Sequence, residues 1–389
     1  VIAVVSACAL LLVQAASSAR GGQAEPVVTA AQLKAAIDNL GKFDAPTRTS
    51  AARTVRRAAP AQAVPALMEA AKEHADGYVR FRALVLLSGF NDPRARDVML
   101  ASLDDPNDRL RAVAYAYFEH NPEPGMAARL LKALNKEESE FVRPALTRAL
   151  AAYGTDPAVK TATSGLVMRG QDLFRSAVIE ALGDYHAVYA VAPLMDVAKQ
   201  DGPLQEDAVL ALGKIGDKRA LEVLAALQKT APRVRQPAIA TGICLLGINC
   251  ASHQKFVVDT LVFAMKNSGF QDLLRAAARA LGTLAAAGRE DAATTLVDLG
   301  APARDPERSP IALAFGTMAM RNTPFTLKFL EGRRDLRESA LLLRDAFDML
   351  EEDFEEERFF ATVRRAYWQA PAGSPVRKTA DTLIQTLEF

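Results

Sequence analysis

Acids placed three residues before an arginine recur along this chain: Asp108 with Arg111, Glu140 with Arg143, Asp172 with Arg175, and Asp272 with Arg275. Each pair stands where a helix opens. Free amides and the helix dipole favour an acid there and disfavour an arginine, so the arginine needs a partner. Helices stacked side by side would bring each arginine to an acid of the neighbouring helix, forming a ladder along one inner surface. That is register-setting chemistry, worth a few tenths to about 1 kcal/mol for each exposed pair. A charged ligand site is the competing use of the same residues. Between Gln205 and Gly216 the arginine is replaced by Glu206 and Asp207, which interrupts the ladder.

Other reactive constellations are missing. There is no G-x-S-x-G elbow, no G-x-x-x-x-G-K-[ST] phosphate loop and no G-x-G-x-x-G. His74, His120, His186 and His253 are scattered, and none has a second ligand four residues away on a helix. They read as surface or packing residues, so no metal or cofactor is expected. Acid pairs such as Asp104 and Asp105 fall in turns, where Asp is common for backbone reasons. Of three cysteines, Cys8 lies in an apolar leader, and Cys244 and Cys250 flank a turn. Those two fit a disulfide if the chain is exported, and two reduced thiols fit equally well.

The elements that would position these residues are helices of a repeat. Gln271–Gly282, QDLLRAAARALG, has variants ending at Gly89, Gly154, Gly183, Gly213, Gly247 and Gly316. With Glu119 counted as an ending that lost its glycine, the intervals are 29 to 35 residues. Each glycine reads as a helix stop. A second apolar helical stretch precedes each one, for example Ala63–Ala71, Val191–Lys199 and Lys255–Met265, and no segment alternates like a strand. The spacing predicts an all-α fold, an α-solenoid of antiparallel helix pairs.

The paired helices, with Pro65 and Pro193 inside first helices and an acid and arginine opening the second, resemble HEAT repeats. They resemble in particular the short bacterial kind named after phycobilisome lyases. The resemblance covers Ala45–Gly316 well. It implies a curved array whose concave face holds a protein or peptide. Enzymes with this architecture include bilin lyases and alkylpurine DNA glycosylases, whose substrates lie inside the cell. The iron site of HEAT-like deoxyhypusine hydroxylases depends on His-Glu dipeptides, which this chain lacks.

The chain has 389 residues with 47 Lys and Arg against 46 Asp and Glu, so it lacks the basic excess of a general nucleic-acid binder. Val1–Ala19 is apolar and rich in small residues, as a secretory signal is, with small-residue cleavage sites at Ala19 and Ala24. An uncleaved membrane anchor is the alternative. Thr29–Leu40 reads as a first helix capped by Thr29. The organisation expected is a signal and linker over 1–24, a repeat array over 25–322, and degenerate terminal repeats over 323–389. The last segment gathers Phe354, Phe359, Phe360, Tyr367 and Trp368 beside an acidic run. It is either a polar cap on the array or an aromatic partner site. The function expected is an exported scaffold without enzymatic activity; the alternative is a HEAT-like lyase or glycosylase.

Overall fold

The computed structural model describes residues 28–350 and 353–389. The leader, with Cys8, Ala19 and Ala24, lies outside the described residues. Among those described, helices and turns account for the regular structure and no strand occurs. The chain opens with α1 (Ala30–Asn39) and α2 (Ala45–Arg57). Helix pairs follow: α3 (Pro60–Glu73) with α4 (Gly77–Ser88), α5 (Ala95–Ser102) with α6 (Asp108–His120), and α7 (Met126–Leu134) with α8 (Arg143–Ala152). Next come α9 (Pro157–Leu166) with α10 (Asp172–Asp184), α11 (Val191–Lys199) with α12 (Gln205–Ile215), and α13 (Leu221–Thr230) with α14 (Gln236–Leu245). The series ends with α15 (Cys250–Lys266) and α16 (Gln271–Ala286), α17 (Glu290–Gly300) and α18 (Arg308–Arg321), α19 (Thr323–Glu331) and α20 (Leu336–Leu350), and finally α21 (Asp353–Gln369) and α22 (Pro375–Leu387).

Local sequence explains the boundaries. Thr29 caps α1 in a reciprocal box with Gln32, and Asp44, Asp76, Asn107 and Asp156 accept backbone amides at the starts of α2, α4, α6 and α9. Short turns then fold each helix back on its partner. Even-numbered helices pack on one another in succession from α2 to α22, forming one continuous layer, with the odd-numbered helices α3 to α19 beside it. This is a helical solenoid.

The glycines that read as stops mostly do something else. Gly183, Gly213, Gly282 and Gly316 lie inside α10, α12, α16 and α18. A methyl group on Gly213 would stand 2.6 Å from the Cα of Gly242, and one on Gly183 2.8 Å from the Cα of Ala211. Absence of a side chain therefore lets neighbouring inner helices approach backbone to backbone, as the inner layer of a tightly curved array requires. Among the seven repeat-ending glycines, Gly247 adopts the left-handed conformation, at φ 81°. The helix that opened the repeat pattern runs past Gly282 to Ala286.

Curvature carries the array round until its ends meet. α21 packs against α4 as well as α22, and Phe354 belongs to the same buried cluster as Leu84, Phe118 and Leu146. Glu357 of α21 is fully buried between Arg56 and Arg364, with Arg56 Nη2 2.6 Å and Arg364 Nη2 3.1 Å from its oxygens. Arg82 pairs with Asp353, and Arg53 reaches Glu388 at 2.8 Å. The solenoid is a closed ring rather than an open crescent. The terminal segment covers the beginning of its own chain.

Candidate functional site: a charged cavity inside the ring

Closure turns the concave face into a cavity of about 990 Å³. Residues from α6, α8, α10, α12, α14, α16, α18, α20 and α21 line it. Its wall carries both signs of charge. Arg148 donates to Glu119 at 3.2 Å and to Asp184 at 3.0 Å, and Lys214 donates to Asp184 at 2.7 Å. Arg279 donates to Asp207, which also accepts from the Ser176 hydroxyl at 2.6 Å. From α18, Arg321 comes within 3.7 Å of both Glu180 and Asp184 on α10, joining helices four pairs apart. His120 lies 2.7 Å from Glu355, which links α6 to α21.

Asp184 and Glu355 are held ionised. Burial alone would raise the pKa of Asp184, but Lys214, Arg148 and Arg321 outweigh it and keep the group below the ordinary carboxylate range. For Glu355 burial is again outweighed, first by the His120 hydrogen bond and charge and then by Arg358, and the result lies well below that range. Tyr185 donates to Glu119 at 2.9 Å, and burial together with that carboxylate pushes the phenol well above its usual value. The phenol stays protonated and acts as a donor.

The expected ladder does not form. Arg111 does reach the next repeat, in a two-pronged pair with Glu137 at 2.8 Å, not with Glu140, which is exposed. Asp108 accepts from Ser139. Arg143 lies over the ring of Phe174, 4.4 Å from its centroid. Arg175 and Arg275 turn back to Asp172 and Asp272 of their own helices, at 3.3 and 2.5 Å. The acid three residues earlier on the same helix is already within reach of each of these two arginines. Of these eight residues, Arg275 alone lines the cavity.

The aromatic cluster is also corrected. Phe354, Phe359 and Phe360 are buried, with Arg56 over the Phe360 ring and Phe389 stacked on it at 4.1 Å. They join one part of the chain to another. Tyr367 is half-buried under Arg377, and Trp368 is exposed. Cys244 and Cys250 are joined as a disulfide across the Gly247 turn, with their Cα atoms 4.0 Å apart.

The residues that face the cavity sit further along the helices than the repeat openings. Glu180, Leu210, Arg279 and Leu313 each stand three residues before a repeat glycine, Gly183, Gly213, Gly282 and Gly316. Charges at two of these positions, in otherwise Ala- and Leu-rich helix tails, were the signal available in the sequence. Nothing local pairs His120 with Glu355, which are 235 residues apart. Glu119, His120 and Glu355 form the group in this wall with the donor types of a metal site.

The HEAT-repeat family model matches residues 33–119 and 161–241. Among solved structures, the chain is similar to the complex of CpcE and CpcF of phycocyanin lyase from Nostoc sp. PCC7120. Identity is 19%, coverage is 85% of this chain and 97% of that one, and the TM-score is 0.26. No curated protein matches. The expectation that the chain is not an enzyme is corrected by this finding, because a lyase complex stands among the structures it resembles. Missing linear motifs do not exclude catalysis on a fold whose ionisable groups converge from distant helices. At that TM-score the likeness lends this chain no activity of its own.

Proposed function

We propose that this chain, which carries HEAT repeats over residues 33–119 and 161–241, is an interaction scaffold whose central cavity takes a short charged segment of a protein or peptide partner. The cavity is the observation that carries this reading. About 990 Å³ is the size of a ligand pocket and far too small for a folded domain, so a partner can enter only as a few residues. A wall holding Glu180 and Asp184 on one helix and Arg275 and Arg279 on another matches a segment that also bears both charges. The resemblance implies binding along the concave face of a curved array. Ring closure favours a confined site, where side chains are desolvated and each counts for more.

The reading includes export. The apolar Val1–Ala19 stretch supports it, and a disulfide between Cys244 and Cys250 suits an oxidising compartment. N-terminal sequencing of native protein should begin at Arg20 or Glu25; a protein retained whole in membranes would replace secretion with anchoring.

The cavity reading is tested by placing a photo-crosslinking residue at Thr283 or Leu313, which line the cavity, and at Phe141 on the exposed surface. In native extract, crosslinks from the cavity positions should appear and should be lost on Glu180→Ala with Arg279→Ala. Crosslinks confined to Phe141 would refute it.

A further inference from the structure

Three donor atoms suited to a first-row transition metal meet where the ring closes. Nε2 of His120 lies 2.7 Å from Oε1 of Glu355 and 3.8 Å from Oε1 of Glu119, and donor atoms of the three residues fall within 4.8 Å of one another. With metal–ligand bonds of about 2.0–2.2 Å, ligand atoms around one cation stand roughly 3.0–3.6 Å apart. The two observed separations bracket that spacing, so small side-chain rotations complete the geometry. We propose that Glu119, His120 and Glu355 bind a divalent first-row transition-metal ion, of which zinc is the reference, at the seam between α6 and α21.

The surroundings fit that role. Arg358 takes Oε2 of Glu355 and leaves Oε1 facing His120. Tyr185 and Arg148 both donate to Oε1 of Glu119, which fixes that carboxylate in place. Such outer contacts fix ligating carboxylates in orientation. Arg148 is itself shared with Asp184 and Glu180, so its charge is already offset before a cation arrives. On binding, the imidazole donates its Nε2 lone pair, and any proton there is released to solvent. All three ligands line the cavity, which gives the ion three protein ligands and an open position facing the cavity.

Position adds a consequence. Glu119 and His120 belong to the early repeats and Glu355 to the last pair, so the ion staples the ring shut. Binding that requires the closed form stabilises it.

The test uses the full chain, stripped with a chelator and titrated with zinc chloride by calorimetry, and with cobalt(II) followed by visible absorption. Uptake of one equivalent is expected, with cobalt bands of a low-coordinate nitrogen–oxygen site and a thermal midpoint raised by several degrees. His120→Ala and Glu355→Gln should each weaken binding at least tenfold, while His253→Ala, on a different helix, should leave it unchanged. Circular dichroism checks that the variants fold, and His120→Gln replaces His120→Ala if that one does not. No saturable uptake by folded wild type, or uptake that these variants leave unaltered, would overturn the site. Because no partner is present in the titration, its result is independent of whether a peptide occupies the cavity.

Discussion

Glu355 and Asp184 show how single residues tie this array together. Both carboxylates are held below the usual range against the effect of burial, Glu355 by His120 of α6 and Arg358 of its own helix, and Asp184 by Lys214, Arg148 and Arg321 of other helices. A group with a depressed folded-state pKa contributes stability that is fully present above its unfolded value, about 4, and is lost as pH falls through the folded value. Thermal unfolding should therefore hold steady from neutral pH to about 5 and decline steeply below about 4. Glu355→Gln should flatten that decline while lowering the midpoint at neutral pH. An acid slope identical in wild type and variant would show that the seam carboxylate does not participate.

Among the elements, the inner helices are set by what they lack. Gly213 faces Gly242 across the α12–α14 contact, and an added methyl would stand 2.6 Å from backbone that cannot move aside. Gly213→Ala should cost about 1–3 kcal/mol through overpacking, even though alanine is the better helix former. Gly332→Ala is the control: it ends α19 at φ −93° with nothing within 4 Å, and it should be neutral or slightly stabilising. Urea denaturation of both variants checks this. Equal midpoints would mean that the inner layer is slack enough to absorb a methyl, and the close-approach account would fail.

For the molecule as a whole, closure depends on a buried charge triad. Glu357 is fully buried, its partners Arg56 and Arg364 are nearly so, and burial pulls the Arg364 pKa down against the pull of Glu357. Removing one partner of a buried ion pair typically costs about 3–5 kcal/mol, because the other charge is stranded. Arg56→Glu should do more, setting like charges against each other and springing the ring open. Small-angle scattering should record a larger radius of gyration, and combining Arg56→Glu with Glu357→Arg should restore part of the compaction. An unchanged radius in the single variant would show that closure rests on the Phe354 and Phe360 packing instead.

Much of this was legible in the sequence. A 29- to 35-residue period, apolar faces at helical spacing, and capping residues such as Thr29 and Asp44 determined helix pairs and a solenoid, because those signals act within a few residues of chain. The role of the repeat glycines was misread for the same reason: a stop and a close-packing site look alike until the neighbouring helix is in place. Tertiary structure alone decided that the array closes, since curvature sums small rotations over ten pairs that no local window contains. It also brought Glu355 to His120 and Arg321 to Glu180, and it drew Phe354, Phe359 and Phe360 inward where aromatic density suggested a surface. Sequence spacing governs which residues share a helix face; which faces meet across a ring is fixed only when its two ends are joined.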